Sequence, residues 1–397
     1  MHFSKKALAI SPSLTLKITA MEKEMVKNGK DVIGFGAGEP DMDTPDYIKQ
    51  AAKEALDMGF TKYTPASGTL ELKKAVAGRL ERKYGLKYEP GQIVISNGAK
   101  HSLFNAFQAI LNPGDEVIII SPYWVTYPEL VKMADGIPVY VEAAESNNFE
   151  PQIKDIEAAV TSKTAAIIVN SPSNPCGCIY SKETLLAIAE TAKKYDLFVV
   201  ADEIYDELTY DNTVHYSFPS LSEDAYNRTI LVNGLSKAYS MTGWRMGYTA
   251  SGKELAKIMD SYQSHATSNP SSITQYASVT ALTGPQEDLV AMVREFQFRR
   301  DMMVSIINGI QGVSCIKPEG AFYVMLDISG VIGKKSDGRE ITGSLSFTEY
   351  LLEKNLVAVV PGIAFGADHF VRLSYATSRE SIQKGLARIQ EFVEGLV

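Results

Sequence analysis

A lysine and an arginine eight residues apart stand where neither has an ordinary surface role. Lys237 lies in Gly234-Leu235-Ser236-Lys237-Ala238-Tyr239-Ser240-Met241-Thr242-Gly243-Trp244-Arg245-Met246-Gly247, with no acidic residue within six positions of it. An amine among such neighbours loses hydration, and a lowered pKa makes it available to attack a carbonyl and form a Schiff base. The β-branched run Thr229-Ile230-Leu231-Val232-Asn233 before it reads as a buried strand. Lys237 therefore falls just past a strand end, where open α/β sheets hold their binding crevices. Arg245, again between small or apolar residues, supplies a fixed cation for an anionic group near that amine.

A carbonyl-reactive lysine beside an arginine suited to phosphate points to pyridoxal 5'-phosphate. The stretch resembles the cofactor-attachment signature of class I aminotransferases, small-x-small-Lys followed by Arg-apolar-Gly, and every constrained position matches. The resemblance implies the fold type I architecture: an α/β large domain with a mainly parallel seven-stranded sheet between helices, plus a smaller α/β domain. It implies a segment 1–40 joining the small domain, a cofactor-binding domain over 41–283 and a small domain over 284–397.

Other candidates close apolar runs. Val94-Ile95-Ser96-Asn97-Gly98-Ala99-Lys100 reads as strand, glycine turn and helix start, the geometry that aims free amides at an anion. Glu116 to Ile120 is a strand ending near Trp124, one of two tryptophans, which either packs in the core or stacks on a planar ligand. Ala165 to Asn170 opens onto Ser171-Pro172-Ser173-Asn174-Pro175, a turn on composition alone. Leu197 to Ala201 ends on Asp202-Glu203-Ile204-Tyr205, and a carboxylate closing a buried strand needs a cation or donor. Arg372 alternates with apolar neighbours in Val371-Arg372-Leu373-Ser374-Tyr375, so an inward-facing guanidinium there wants an anion. The glycines of Gly34-Phe35-Gly36-Ala37-Gly38-Glu39-Pro40 lack dinucleotide spacing, and Pro40 falls where the phosphate-binding helix would begin. Gly38 marks either a close backbone approach to a ligand or a plain turn.

These scattered residues are similar to the rest of the class I aminotransferase pattern over essentially the whole chain. The resemblance implies that Asn174 and Tyr205 bind the cofactor's phenolic oxygen, that Asp202 pairs with its pyridine nitrogen, and that Trp124 stacks on its ring. Gly98, Ala99, Lys100, Ser236 and Arg245 would hold the cofactor at its phosphate end, with Tyr63 reaching it from a second subunit. Arg372 would fork onto the substrate α-carboxylate, with Gly38, Trp124 and Asn174 also touching substrate. Lys237 would be both nucleophile and general base in a ping-pong cycle, with Asp202 and Tyr205 as catalytic partners and no metal. Gly234 departs from the pattern, because many relatives carry a phosphate-binding serine there.

Ser-Pro-Tyr-Trp at 121–124 and Val-Arg-Leu-Ser-Tyr-Ala-Thr-Ser at 371–378 are most similar to the bacterial subgroup of aspartate aminotransferases. The substrates implied are L-aspartate and 2-oxoglutarate. The other subgroup binds the side-chain carboxylate through a partner arginine, and Gln263 to Pro270 has none; Lys100 takes that role here, or is a solvated helix-start lysine. Transamination of aromatic amino acids or prephenate, and carbon–sulfur lyase chemistry, are the rivals on this fold. A nucleotide site at Gly247 to Lys253 has phosphate-loop spacing, but Glu254 replaces the Ser or Thr that would hold magnesium.

The elements that must position these residues follow from the rest of the chain. Strand, loop and helix recur from about 90 to 250, and helical periodicity covers Ile18 to Asn28, Gly252 to Tyr262, Pro285 to Ile310 and Thr348 to Lys354. Thr44-Pro45 reads as a capped start to a helix. With 397 residues and 45% hydrophobic composition a large core is available, and a net charge of −8 argues against nucleic acid. Three cysteines make no disulfide framework, the apolar run of the first ten residues is too short for a signal peptide, and nothing spans a membrane. A cytoplasmic homodimer with shared active sites is expected, with the N-terminal segment, including Ser13 and Thr15, closing over substrate.

Overall fold

Seven strands lie side by side in the order Ile93–Ser96, Gly247–Ala250, Thr229–Gly234, Phe198–Asp202, Thr164–Asn170, Glu116–Ser121 and Ile137–Glu142 in a computed structural model that describes residues 2–12 and 14–397, without the side chains of 15–17 and 19. All neighbours are parallel except at Gly247–Ala250, which runs antiparallel to both strands beside it. The fold is that of an α/β protein with a mainly parallel sheet, and it accounts for the continuous apolar runs, because helices cover both faces. Alternate residues enter separate cores: Ile118, Ile167, Val199 and Leu231 on one side, Val117, Ile168, Val200 and Ile230 on the other. Parallel strands with period-2 side chains produce this division directly.

A second sheet is antiparallel, in the order Val360–Pro361, Phe370–Ser374 and Tyr323–Asp327. Strand Ile33–Gly34, from the N-terminal part of the chain, pairs with Val357–Ala358. Helices Glu287–Ile307, Ser344–Asn355 and Arg379–Glu394 pack around this unit. Among the described residues no helix is long and apolar enough to cross a membrane.

Three local readings shift. The first long helix spans Leu14–Lys27, starting four residues earlier than its periodicity implied. Thr44 is not a cap: Pro45 takes the N-cap position of Asp46–Asp57. The Thr44 hydroxyl instead donates to the Ser240 carbonyl at 2.6 Å and accepts from Trp244 Nε1 at 3.0 Å, which ties it to the lysine loop. The apolar run Val357 to Val360, which by composition reads as a single strand, is instead split between two short strands, Val357–Ala358 and Val360–Pro361, each pairing in a different sheet.

A buried ionic network fixes the chain just beyond Asp202. Arg79, on helix Leu70–Tyr84, reaches Asp206 and Glu207 at 2.6 Å each and the Tyr248 hydroxyl at 3.1 Å. Arg79 and Lys83 overcome the burial of Asp206 and hold its carboxyl well below the usual range. Removing one partner of such a group strands a buried charge, at about 3–5 kcal/mol. Arg79→Met should therefore lower unfolding stability by about 3 kcal/mol, read as a lower urea midpoint with unchanged slope. A loss below about 1 kcal/mol would mean that the network contributes little.

Candidate active site

The carboxyl ends of the parallel strands open into one cavity of about 550 Å³, which the second sheet closes from the other side. Lys237 stands just past Thr229–Gly234, in the tight loop that leads back into Gly247–Ala250. Desolvation holds its amine down to about 8 against the pull of Glu39, and the charges of Arg372 and Arg245 add to the lowering. Its Nζ donates to the Gly38 carbonyl, so the Gly36–Pro40 segment lies directly over the amine.

Asp202 ends its strand at 3% exposure. Burial pushes its carboxyl up to about 6, while the Tyr127 hydroxyl at 2.7 Å and the Ile204 amide at 3.2 Å work the other way. These donors leave acceptor capacity on both oxygens. Asn170, ending the adjacent strand, donates to the Asp202 carbonyl at 2.9 Å and accepts from the Asn174 amide at 2.9 Å, which sets the Asn174 loop against the sheet.

Arg372 comes from the second sheet. It is 3% exposed, donates through Nη1 to Asn174 Oδ1 at 2.9 Å and through Nη2 to the Gly36 carbonyl at 3.1 Å, and lies against the rings of Tyr323 and Phe365. Among the described residues its Nε meets no acceptor. A buried guanidinium with neutral partners and a spare donor is built to receive an anion. Gly98 at φ 86° turns the chain into helix Ala99–Ile110, where the His101 amide donates back to the Gly98 carbonyl at 3.0 Å and the Ala99 and Lys100 amides before it precede the first intrahelical bond. A Cβ at Gly98 would lie 2.5 Å from Arg245 Nη2, so only glycine lets that guanidinium approach the helix end. The cavity thus brings together an anion cradle, a carboxylate, a low-pKa amine and a buried arginine.

The family model for aminotransferases of class I and II matches residues 30–389. The chain belongs to the class I and II aminotransferases. It is 45% identical over 394 residues to an aspartate aminotransferase of Bacillus subtilis, with 99% of each chain covered. It is 48% identical over 399 residues to an aspartate/prephenate aminotransferase of Cereibacter sphaeroides, with 100% of each covered. Its structure is similar to a crystal structure of the Rhizobium meliloti aspartate aminotransferase, with a TM-score of 0.97, 44% identity and full coverage of both chains. A Thermus thermophilus aspartate aminotransferase solved with maleate gives 0.92 at 41% identity, covering 99% of this chain and 100% of that one.

In this aminotransferase the cavity is lined by Gly38, Ala99, Lys100, Trp124, Asn174, Asp202, Tyr205, Ser236, Lys237, Arg245 and Arg372. Two residues named from the sequence stand apart from it. Gly98 acts behind the wall, through Arg245, and Tyr63 is 91% exposed. Trp124 is half-buried, set edge-on to Tyr127, with Lys100 Nζ 5.0 Å from its ring. Gly234 gains a reason: a Cβ there would lie 2.7 Å from the Met246 carbonyl, so a serine needs the backbone to move. Ser13 and the Thr15 side chain lie outside the described residues.

Sequence reasoning missed Tyr127, Asn170 and Tyr323. Tyr127 had a signal, since it follows Trp124 by three residues, one helical turn. Asn170 closes a strand as Asp202 does, whereas Tyr323 lies in Ala321-Phe322-Tyr323-Val324-Met325-Leu326, an apolar run with nothing to set it apart.

Proposed function

We propose that this aminotransferase moves the amino group of L-aspartate to 2-oxoglutarate, giving oxaloacetate and L-glutamate, with pyridoxal 5'-phosphate as the carrier. The observation that carries the reading is that Arg245, Asp202, Lys237 and Arg372 all line one cavity. That set of charges fits a phosphate, a protonated ring nitrogen, a reactive carbonyl and an α-carboxylate. The bound cofactor supplies a carbonyl for the amino group and a ring that takes up electrons released at Cα.

Lys237 Nζ would hold the cofactor and, when unprotonated and unattached, would move the Cα proton. Asp202 keeps the ring nitrogen protonated, Tyr205 and Asn174 hold the phenolic oxygen, and Trp124 covers the ring. Arg245, Ser236 and the turn from Gly98 to Lys100 take the phosphate. Arg372 orients the substrate α-carboxylate, with Gly38 beside it. Lys100 is the acidic-substrate cation; burial and the charge of Arg245 hold its amine below the ordinary value, and a second carboxylate would raise it again. Arg372→Lys keeps the charge but loses the fork, and kcat/KM for aspartate should fall about 10²-fold in steady-state assays. An unchanged kcat/KM would place the α-carboxylate elsewhere.

The division into 1–40, 41–283 and 284–397 is the domain organisation we infer, in a cytoplasmic homodimer. Supporting the dimer, Leu56, Met58, Tyr63 and Leu70 are exposed close together in sequence, a setting in which Tyr63 reaches the partner's phosphate site. Prephenate is the second amino acceptor to test, because the 48% identical relative is named for both activities. The purified holoprotein, mixed with L-aspartate and no oxo acid, should release one oxaloacetate per active site and then stop until 2-oxoglutarate or prephenate is added. No release with aspartate, but release with another amino acid, would leave the reaction class standing and replace the substrate.

A further inference from the structure

We propose that Tyr323 is a positioning residue that fixes the direction of the Tyr205 hydroxyl proton, a role that rests on the pyridoxal-phosphate reading above. Tyr323 opens its strand, is fully buried and lines the cavity. Its hydroxyl lies 3.0 Å from that of Tyr205, and among the described residues neither phenol has another hydrogen-bond partner. The rings meet edge to face, 5.9 Å apart at 82°.

A phenol carries one proton to donate and lone pairs to accept. The pair shares one of its two protons and keeps the other for whatever enters the cavity. With Tyr205 as donor, its oxygen can only accept from a ligand. With Tyr323 as donor, the proton of Tyr205 is left to point at a ligand oxygen, which an oxygen bearing negative charge requires.

The surroundings select the second arrangement. The Arg372 guanidinium lies 4.3 Å from the Tyr323 ring centroid, while the cation nearest the Tyr205 ring, Lys237, is 5.9 Å away. A cation over a ring face draws electron density from it and makes its hydroxyl the stronger donor. Burial raises both phenols, and the charge of Arg372 opposes it at each, ranking next after burial at Tyr323 and behind the Tyr323 contacts at Tyr205. Arg372 therefore acts twice, once on the substrate carboxylate and once through Tyr323 on the proton that Tyr205 presents.

The test is the pH titration of the visible absorbance band of the bound cofactor in the wild type, Tyr323→Phe, Tyr205→Phe and the double variant. A donor to the phenolic oxygen favours the deprotonated chromophore, so weakening the donor raises the apparent pKa. Tyr323→Phe should raise it by about half to one pH unit. Tyr205→Phe should raise it further, and the double variant should match Tyr205→Phe alone. No shift in Tyr323→Phe, or the same added shift in the Tyr205→Phe background, overturns the proposal. A wild type that forms no visible band with the cofactor would overturn the functional reading and this one with it.

Discussion

Lys237→Ala should abolish transamination, lowering kcat by at least about 10⁴-fold in coupled assays of oxaloacetate formation. The size follows from two losses at one atom. The variant has no amine to hold the cofactor carbonyl and no base within reach of the substrate Cα. Lys237→Arg separates the roles from charge, because it restores a cation but neither a nucleophile nor a base at neutral pH. It should be nearly as inactive. The wild-type amine, held down to about 8 by desolvation, is reactive only unprotonated. The rate of cofactor capture by the cofactor-free protein should rise with pH and level off above about 8. A Lys237→Ala variant retaining a tenth of the activity would remove Lys237 from the chemistry.

Asp202→Asn should lower kcat by about 10³-fold while leaving the cofactor-free protein more stable at neutral pH. A neutral amide fills the same space but cannot keep the ring nitrogen protonated, so the ring loses its capacity to accept electrons. The stability effect has the opposite sign. Burial raises the folded-state pKa to about 6, above the unfolded value of about 3.9. The proton is therefore bound more tightly in the folded chain, and stability from this group is present below about pH 4 and lost as pH rises through 6. The cost at pH 7 is about 3 kcal/mol, which the asparagine avoids. Urea unfolding of the cofactor-free proteins should show the variant more stable at pH 7 and the difference shrinking towards pH 4. A less stable variant at pH 7 would mean that the Tyr127 and Ile204 bonds outweigh the desolvation of the carboxylate. The stored cost is what a cationic ring nitrogen would offset on binding.

The residues with chemistry were legible because their surroundings contradicted their type. A lysine without acids, a carboxylate closing a β-branched run and an arginine inside an apolar strand each demanded a partner, and each lies on the cavity wall. The strands of the large sheet were legible for the related reason that both faces are buried, which leaves unbroken apolar runs. What the sequence hid was mutual support. Tyr127 and Tyr323 are ordinary aromatics in local context and gain their roles only when helix Thr126–Met133 and strand Tyr323–Asp327 are brought to Asp202 and Tyr205. Thr44 reads as a helix cap because capping is local, and its actual partners lie near 200 residues away in sequence. The tight spacing behind Gly234, against the Met246 backbone, and behind Gly98, against the Arg245 side chain, likewise arises only in the folded chain.

The central claim is that one lysine holds the cofactor. Reducing the holoprotein with sodium borohydride fixes the cofactor to the lysine that bears it, and peptide mapping by mass spectrometry then reads the position. A pyridoxyl phosphate group should appear on the peptide containing Lys237, at one per chain, and be absent from Lys237→Ala. A stoichiometric adduct on Lys100 or any other lysine, or an adduct in the Lys237→Ala protein at wild-type yield, would contradict it.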